Sequence, residues 1–352
     1  MSRQEKSCRV TVERCEPTEV TDSAKFPDFY LVGAPKCGTT ALYNVLSKHP
    51  QVFLPYEKEP HFFLPRTAKA YWPRCTRIED YLRLFEGASR GQTKGEMSVT
   101  YLYYAESVRR ILHVRPDAKF IVVVRNPSAM AYSLHNQLYR VLAEDVADFE
   151  EAWRLQSMRR FGKRIPHGCI APEWLQYRDV CSVGSQLERL FGIVRRSQVH
   201  VIVYDDLRLR PRLVYVRLVK FLGIEDDGRR EFPVVNPNQV LRSRALARIL
   251  LGIRSALGSW YFPARHLFVK CFGLRPIQWL WRANLRPEPR RPLRREFGRE
   301  MAAGFRDEVF KLERLLGRGF PAWLEPISGC GAVCPNGEGV APPQGEFRAG
   351  MA

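Results

Sequence analysis

Phe29-Tyr30-Leu31-Val32-Gly33-Ala34-Pro35-Lys36-Cys37-Gly38-Thr39-Thr40-Ala41-Leu42-Tyr43-Asn44-Val45-Leu46 is the stretch on which the reading of the fold turns. Four apolar residues run into a glycine-bearing turn, which suits a strand buried on both faces of a parallel sheet. Beyond the turn, Ala41, Leu42, Val45 and Leu46 recur at helical spacing as far as Lys48-His49-Pro50, where proline stops the helix. A Gly-rich turn between strand and helix aims backbone N–H groups and the positive helix end at one spot, which suits phosphate. The ATP-binding pattern is G-x-x-x-x-G-K-[ST]. Gly33 and Gly38 have that separation, but Thr39 takes the lysine position and the lysine lies inside the loop, at Lys36. The plainer alternative is a turn that merely joins a strand to a helix.

Downstream, Phe120–Val124 reads as a second buried strand, running into Arg125-Asn126-Pro127 and a helix through about Arg140. An ATPase wants a carboxylate for Mg²⁺ at such a strand end, and here the residue is Arg125. Both departures predict a phosphate site that works with side-chain cations, and no metal is expected. Cys330 and Cys334 lie close together, but no further Cys or His follows to complete a zinc site. Val199–Tyr204 reads as a third strand, followed by Asp205-Asp206-Leu207 and a helical stretch Val214–Leu222. A final helix is predicted over Glu296–Leu316, leading to Trp323. Strands alternating with helices predict an α/β fold, three-layer α/β/α with a mostly parallel central sheet.

The chain has 352 residues, 45% hydrophobic and 26% charged, which excludes disordered, collagen-like and disulfide-scaffold classes. Lys+Arg 56 against Asp+Glu 37 gives a net charge of +19, favouring anionic partners: a nucleotide, an acidic polymer, a nucleic acid or an anionic membrane. Residues 1–25 read as a weakly structured leader without the apolar segment of a signal peptide, and 327–352 as a flexible Gly/Pro-rich tail. No apolar run reaches the length of a spanning helix. Nine scattered cysteines read as free thiols in a reducing compartment, so a cytoplasmic protein is expected.

Three blocks share a likeness. GAPKCGTTALYNVLSKHP, KEPHFF at Lys58–Phe63 and VVVRNPSAMAYS at Val122–Ser133 resemble the sulfotransferases that use 3′-phosphoadenosine-5′-phosphosulfate (PAPS), with KEPHFF closest to the glycan-type and bacterial branches. The likeness extends through VHVIVYDDL and LERLLGRGFPAW, and implies a P-loop NTPase-like sulfotransferase fold in one domain, residues 26–326. It implies that the loop Pro35, Lys36, Cys37, Gly38, Thr39 and Thr40 holds the 5′-phosphosulfate, with Lys36 beside the bridging oxygen to stabilise charge on the departing nucleotide. Arg125 and Ser133 would bind the ribose 3′-phosphate, a task suited to the planar guanidinium fork. Glu59 matches the base of the glycan-type branch, while His61 is the rival because the cytosolic small-molecule branch uses a histidine. In an extended segment the two would face the same side. A hydrogen-bonded structural pair is the third reading.

The resemblance has gaps. Met130 stands where the motif R-[DN]-P-x-x-R-A-x-S has its second arginine, and Met97 where E-K-[ST]-P-x-Y has lysine. Arg291 or Arg294 is a candidate compensating cation. Residues 242–295 hold thirteen Lys/Arg and one acid, Glu288, together with Trp260, Tyr261, Phe262, Trp279 and Trp281. Three readings stay open there: a lid lining an acceptor cleft, an amphipathic surface resting on anionic membrane, or solvated arginines on ordinary core helices. No nucleic-acid recognition module is visible. The implied reaction moves the PAPS sulfuryl group to an acceptor hydroxyl, preferably on a saccharide or glycolipid. The alternatives are sulfation of a small metabolite, a P-loop kinase or NTPase, and a non-catalytic nucleotide-binding protein.

Overall fold

Every residue of β1, Phe29–Gly33, is buried, because parallel strands flank it on both sides. The structure, a computed structural model, describes residues 22–69, 75–169, 171–232, 239–257, 276–288 and 291–327. The main sheet adds β2 (Val52–Phe53), β3 (Thr93–Met97), β4 (Lys119–Val124) and β5 (Val199–Val203), in the order β2-β3-β1-β4-β5, all pairings parallel. An all-parallel sheet needs both faces covered, and flanking helices supply the cover. They include α1 (Thr39–Leu46), α2 (Ala105–Val114), α3 (Pro127–Arg140), α4 (Val183–Phe191), α5 (Tyr204–Leu209) and α6 (Pro211–Leu222). The expected α/β class and parallel sheet are thus present.

The strand order decides where a ligand can sit. The chain reaches β3 on one side of β1 and then crosses to β4 on the other. At such a reversal the loops leaving neighbouring strands diverge, and a crevice opens at their carboxyl ends. The loops following β1, β3 and β4 all lie there.

Two elements depart from the sequence expectation. β3, Thr93-Lys94-Gly95-Glu96-Met97, has no apolar run to announce it, yet Gly95, Glu96 and Met97 are buried. The predicted helix Glu296–Leu316 is two helices, α9 (Arg295–Gly304) and α10 (Arg306–Leu316). Gly304 weakens helix continuity at that point, and Phe305 turns inward to pack against Trp153, ring centroids 5.7 Å apart. Trp323 then stacks on Phe320 and donates from Nε1 to Asp205 at 2.8 Å, fastening the end of the domain to the segment after β5.

A second, two-stranded antiparallel sheet pairs β6 (Gln239–Leu241) with β7 (Leu285–Pro287). Between them lie α7 (Arg244–Leu257) and α8 (Pro276–Ala283). Trp260, Tyr261 and Phe262, the Cys330–Cys334 pair, residues 1–21 of the leader and residues 328–352 of the tail lie outside the described residues.

Candidate active site

The loop after β1 is clamped on both sides. Ala34 N–H donates to the Val123 carbonyl of β4 at 2.9 Å, and Leu102 N–H, beyond β3, donates to the Val32 carbonyl at 2.8 Å. Gly33 permits that approach, since a Cβ there would stand 2.7 Å from the Leu102 Cβ. Lys36 (φ 63°) and Gly38 (φ 83°) then turn the chain through left-handed conformations. Gly38 opens α1 without any side-chain cap. The first-turn amides at Thr39 and Thr40 therefore receive no side chain from the N-cap, the arrangement that receives an anion at a helix start. A side chain at Gly38 would also meet the Tyr204 ring, at 3.0 Å from Cβ.

Cys37 points the other way. Its buried thiol donates to the Pro35 carbonyl at 3.4 Å and lies 3.9 Å from the Met130 sulfur. Burial pushes the thiol up to about 12, so it stays neutral inside the protein. Only the backbone of Cys37 is left to a ligand. Met130 is fully buried beneath the loop, so the position of the missing motif arginine faces the core here.

Arg125 leaves the end of β4 and folds back on the loop. Its Nη1 donates to the Lys36 carbonyl at 2.8 Å, and its guanidinium lies 4.5 Å over the Tyr204 ring. Asn126 and Pro127 explain the next turn: the Asn126 side chain accepts from the Ser128 amide at 2.9 Å and from Ala129 at 3.3 Å, and Pro127 opens α3. Ser133 is buried nearly two turns into that helix. Beside it, the Tyr132 hydroxyl donates to the Arg291 carbonyl at 2.8 Å, holding the Arg291 backbone against α3. Arg294 is not a spare cation: its guanidinium pairs with Glu150, Nε to Oε2 2.8 Å.

Glu59 and His61 come together, but not along an extended segment. Both have φ of 57°, and the segment is pinned to the end of β3. Glu59 N–H donates to the Met97 carbonyl at 3.2 Å, His61 N–H to Ser98 Oγ at 3.4 Å and Phe63 N–H to the Tyr101 hydroxyl at 3.2 Å. The two side chains lie 3.4 Å apart, Glu59 Oε2 to His61 Nε2, with Glu59 37% exposed and His61 1%. The other ring nitrogen of His61, Nδ1, lies 3.1 Å from Thr100 Oγ1. Lys58 stands 4.4 Å over the Tyr43 ring, and burial lowers its pKa below the usual lysine value.

Beneath this pair lies a buried carboxylate, Glu96 on β3. It accepts from the Tyr81 hydroxyl at 2.5 Å and from Ser98 Oγ at 2.6 Å. Burial raises its pKa to about 7, with hydrogen bonds from Ser98, Tyr81 and Tyr101 working against the shift. Tyr204 and Thr100 were not singled out from the sequence as site residues. For Tyr204 a signal existed, an aromatic residue at the end of a strand that ends beside a phosphate turn. Thr100 carried none, because its role depends on two left-handed residues forty positions earlier. Among the described residues, no three His, Cys, Asp or Glu side chains gather as metal ligands.

Comparison with known proteins points in one direction. The model of the sulfotransferase domain family matches residues 26–231. A crystal structure of a sulfotransferase from Alicyclobacillus acidocaldarius superposes with a TM-score of 0.61 at 25% identity, covering 85% of this chain and 98% of that one. Human heparan sulfate glucosamine 3-O-sulfotransferase 6 is 31% identical over 166 residues, 44% of either chain. Human bifunctional heparan sulfate N-deacetylase/N-sulfotransferase 3 is 25% identical over 315 residues, 85% of this chain and 31% of that one. The chain spans less than half the length of these curated relatives.

Proposed function

The chain belongs to the sulfotransferase family, and from that premise we propose that residues 26–326 form one domain moving the sulfuryl group of PAPS to an acceptor hydroxyl, preferably on a saccharide or glycolipid. The observation that carries the reading is the Glu59–His61 pair. A half-exposed carboxylate lies 3.4 Å from a buried imidazole, on a segment bonded to the carboxyl end of β3, the strand that pairs with β1. Burial favours Glu59 over His61 as the base, because both ring nitrogens of His61 already face protein groups, Thr100 on one side and Glu59 on the other.

The donor-site residues fit a nucleotide bearing phosphate at both ends. Uncapped amides at Thr39 and Thr40 would receive the 5′ end, with Pro35 to Gly38 shaping the turn, while Arg125 and Ser133 would take the 3′-phosphate. The donor supplies an activated sulfur with a nucleotide phosphate as leaving group. The acceptor hydroxyl gives its proton to Glu59 as its oxygen bonds to sulfur, in line with the breaking bond. Lys36, within the turn, offsets the charge that grows on the leaving oxygen. Heparan sulfate in the names of both reported relatives supports a sugar acceptor, and 3-O-sulfotransferase in one of them supports a hydroxyl. No described helix is long and apolar enough to cross a membrane, and we read the protein as cytoplasmic, with an anionic membrane surface as a peripheral partner.

The test is transfer of labelled sulfate from PAPS to a panel of oligosaccharides, glycolipids and small hydroxyl metabolites, with binding of 3′-phosphoadenosine-5′-phosphate (PAP), AMP and Mg-ATP measured in parallel. Transfer to a sugar that falls about 10²–10⁴-fold in Glu59→Gln is expected. Transfer to small metabolites alone moves the acceptor class. Tight PAP binding without turnover on any acceptor selects the non-catalytic reading. Mg-ATP binding as well as PAP selects the kinase reading.

A further inference from the structure

Outside the crevice, the feature least explained by folding is the excursion between β6 and β7. Its base is firmly tied. Asn284 is buried, accepts from the Ser243 amide at 2.8 Å, donates to the Ser243 carbonyl at 2.7 Å and takes the Arg242 amide on its own carbonyl at 2.7 Å. Arg244 fastens the start of α7 to the body, its guanidinium 4.0 Å over the Tyr139 ring and 3.4 Å from the Glu144 carbonyl. Ala247 and Leu250 face inward.

Four other described side chains of α7 and α8 stay in contact with water. Ile249 is 60% exposed, Ile253 44%, Trp279 68% and Leu280 36%. Exposed Arg248 and Arg282 sit beside them in sequence. Full burial of such a side chain is worth about 1.5–3 kcal/mol; these four forgo only the exposed part of it, but gathered on two tethered helices they offer apolar area to a covering surface. Charge selects what covers it. Residues 242–295 supply twelve of the nineteen net positive charges, and their one acid, Glu288, is paired with Arg286 at 2.9 Å. A second copy of the chain would bring further arginines against Arg248 and Arg282, with no acid of this segment to meet them. A nucleic acid would use the arginines and leave the isoleucines and leucine wet. An anionic bilayer uses both sets at once: apolar side chains enter the headgroup boundary, tryptophan prefers that depth, and arginines meet lipid phosphates.

We propose that α7 and α8 form a docking face for an anionic lipid bilayer, with Ile249, Ile253, Trp279 and Leu280 inserted and Arg248 and Arg282 on the headgroups. Docking through these helices gives the membrane partner of the proposed function its surface, and rests on that reading only for the acceptor brought within reach. The protein is then held peripherally, its crevice free to meet a lipid-linked acceptor.

The experiment is sedimentation of the full chain with vesicles of phosphatidylcholine alone, or of phosphatidylcholine with phosphatidylglycerol at roughly one part in three. Binding to the mixed vesicles, weak binding to neutral ones and loss in high salt are expected. Trp279→Ala should weaken partition about tenfold, and Arg248→Ser and Arg282→Ser about fivefold each. Thermal unfolding and PAP affinity should be unchanged in all three, since none touches the core or the donor site. Equal binding to both vesicle types, no binding, or variants that bind like the parent overturns the membrane face. A dimer in light scattering that Ile249→Glu dissociates, without vesicle binding, assigns the face to a second copy instead. Vesicle binding that holds while PAP fails to bind removes the donor reading and leaves the docking face standing.

Discussion

The Arg125 guanidinium lies 4.5 Å over the Tyr204 ring while its Nη1 holds the Lys36 carbonyl at 2.8 Å. Strand ends β4 and β5 are thereby joined to the turn after β1 by one side chain, oriented before any ligand arrives. A guanidinium fixed by stacking loses less freedom on pairing with phosphate than a free one. Arg125→Ala should weaken PAP by about 30- to 100-fold, in the range of one or two charge-assisted hydrogen bonds. Arg125→Lys should recover only a small part, because the fork and the stacking are lost with the charge retained. Tyr204→Leu should cost about five- to tenfold with Arg125 intact. Calorimetric titration of the three variants checks the order; a Tyr204→Leu protein that binds PAP like the parent removes the ring from the site.

On the proposed reading, with Glu59 as the base, Thr100 acts on it through His61. A carboxylate can only accept, so the tautomer that suits both neighbours has its N–H on Nε2, facing Glu59, with Thr100 donating to Nδ1. Removing that hydroxyl frees the ring to take the other tautomer and withdraws a donor from Glu59, which raises the carboxylate pKa. Thr100→Val should lower kcat about tenfold, leave PAP affinity unchanged and move the acidic limb of the pH–kcat profile upward. Thr100→Ser should restore both. An unmoved profile with lower kcat would mark Thr100 as packing only.

The turn after β1 and the arginine after β4 are legible in the sequence because each is a local event: an apolar run, a glycine turn, a helix start. The Glu59–His61 pair is legible as residue types, not as geometry. Glu59 and His61 were expected on one side of an extended strand, and they meet through two left-handed residues whose conformation is set by bonds to Met97 and Ser98. β3 escaped notice for a related reason. Its glutamate is buried and satisfied by Tyr81 and Ser98, partners that no period-2 pattern can announce.

Met130 lies fully buried with its sulfur 3.9 Å from Cys37 Sγ, so the gap in the arginine motif is a core position here. Met130→Arg should therefore not tighten PAP. It should place an unpaired charge under the phosphate turn and cost about 3–5 kcal/mol of stability. Thermal unfolding with and without PAP distinguishes the outcomes: a stable variant with tighter PAP binding would show that the position reaches the donor after all.

Glu96 couples stability to pH. Its folded-state pKa is about 7 because burial disfavours the charged form, whereas an unfolded glutamate titrates near 4.3. The folded protein thus binds the proton more tightly than the unfolded chain, so stability contributed by this group is intact below about pH 4 and declines as pH rises toward 7. The shift corresponds to a loss of about 3 kcal/mol, an order-of-magnitude figure, levelling off above neutrality. Glu96→Gln removes the titration and keeps one acceptor oxygen; its NH2 faces the other of the two hydroxyls, whose oxygen must then accept, as it does beside the protonated acid. Denaturant unfolding between pH 5 and 8 should show a flatter stability profile for the variant, with its advantage over the parent growing toward pH 8. Parallel profiles would mean that Glu96 stays ionised across this window, with the three hydroxyls around it outweighing burial.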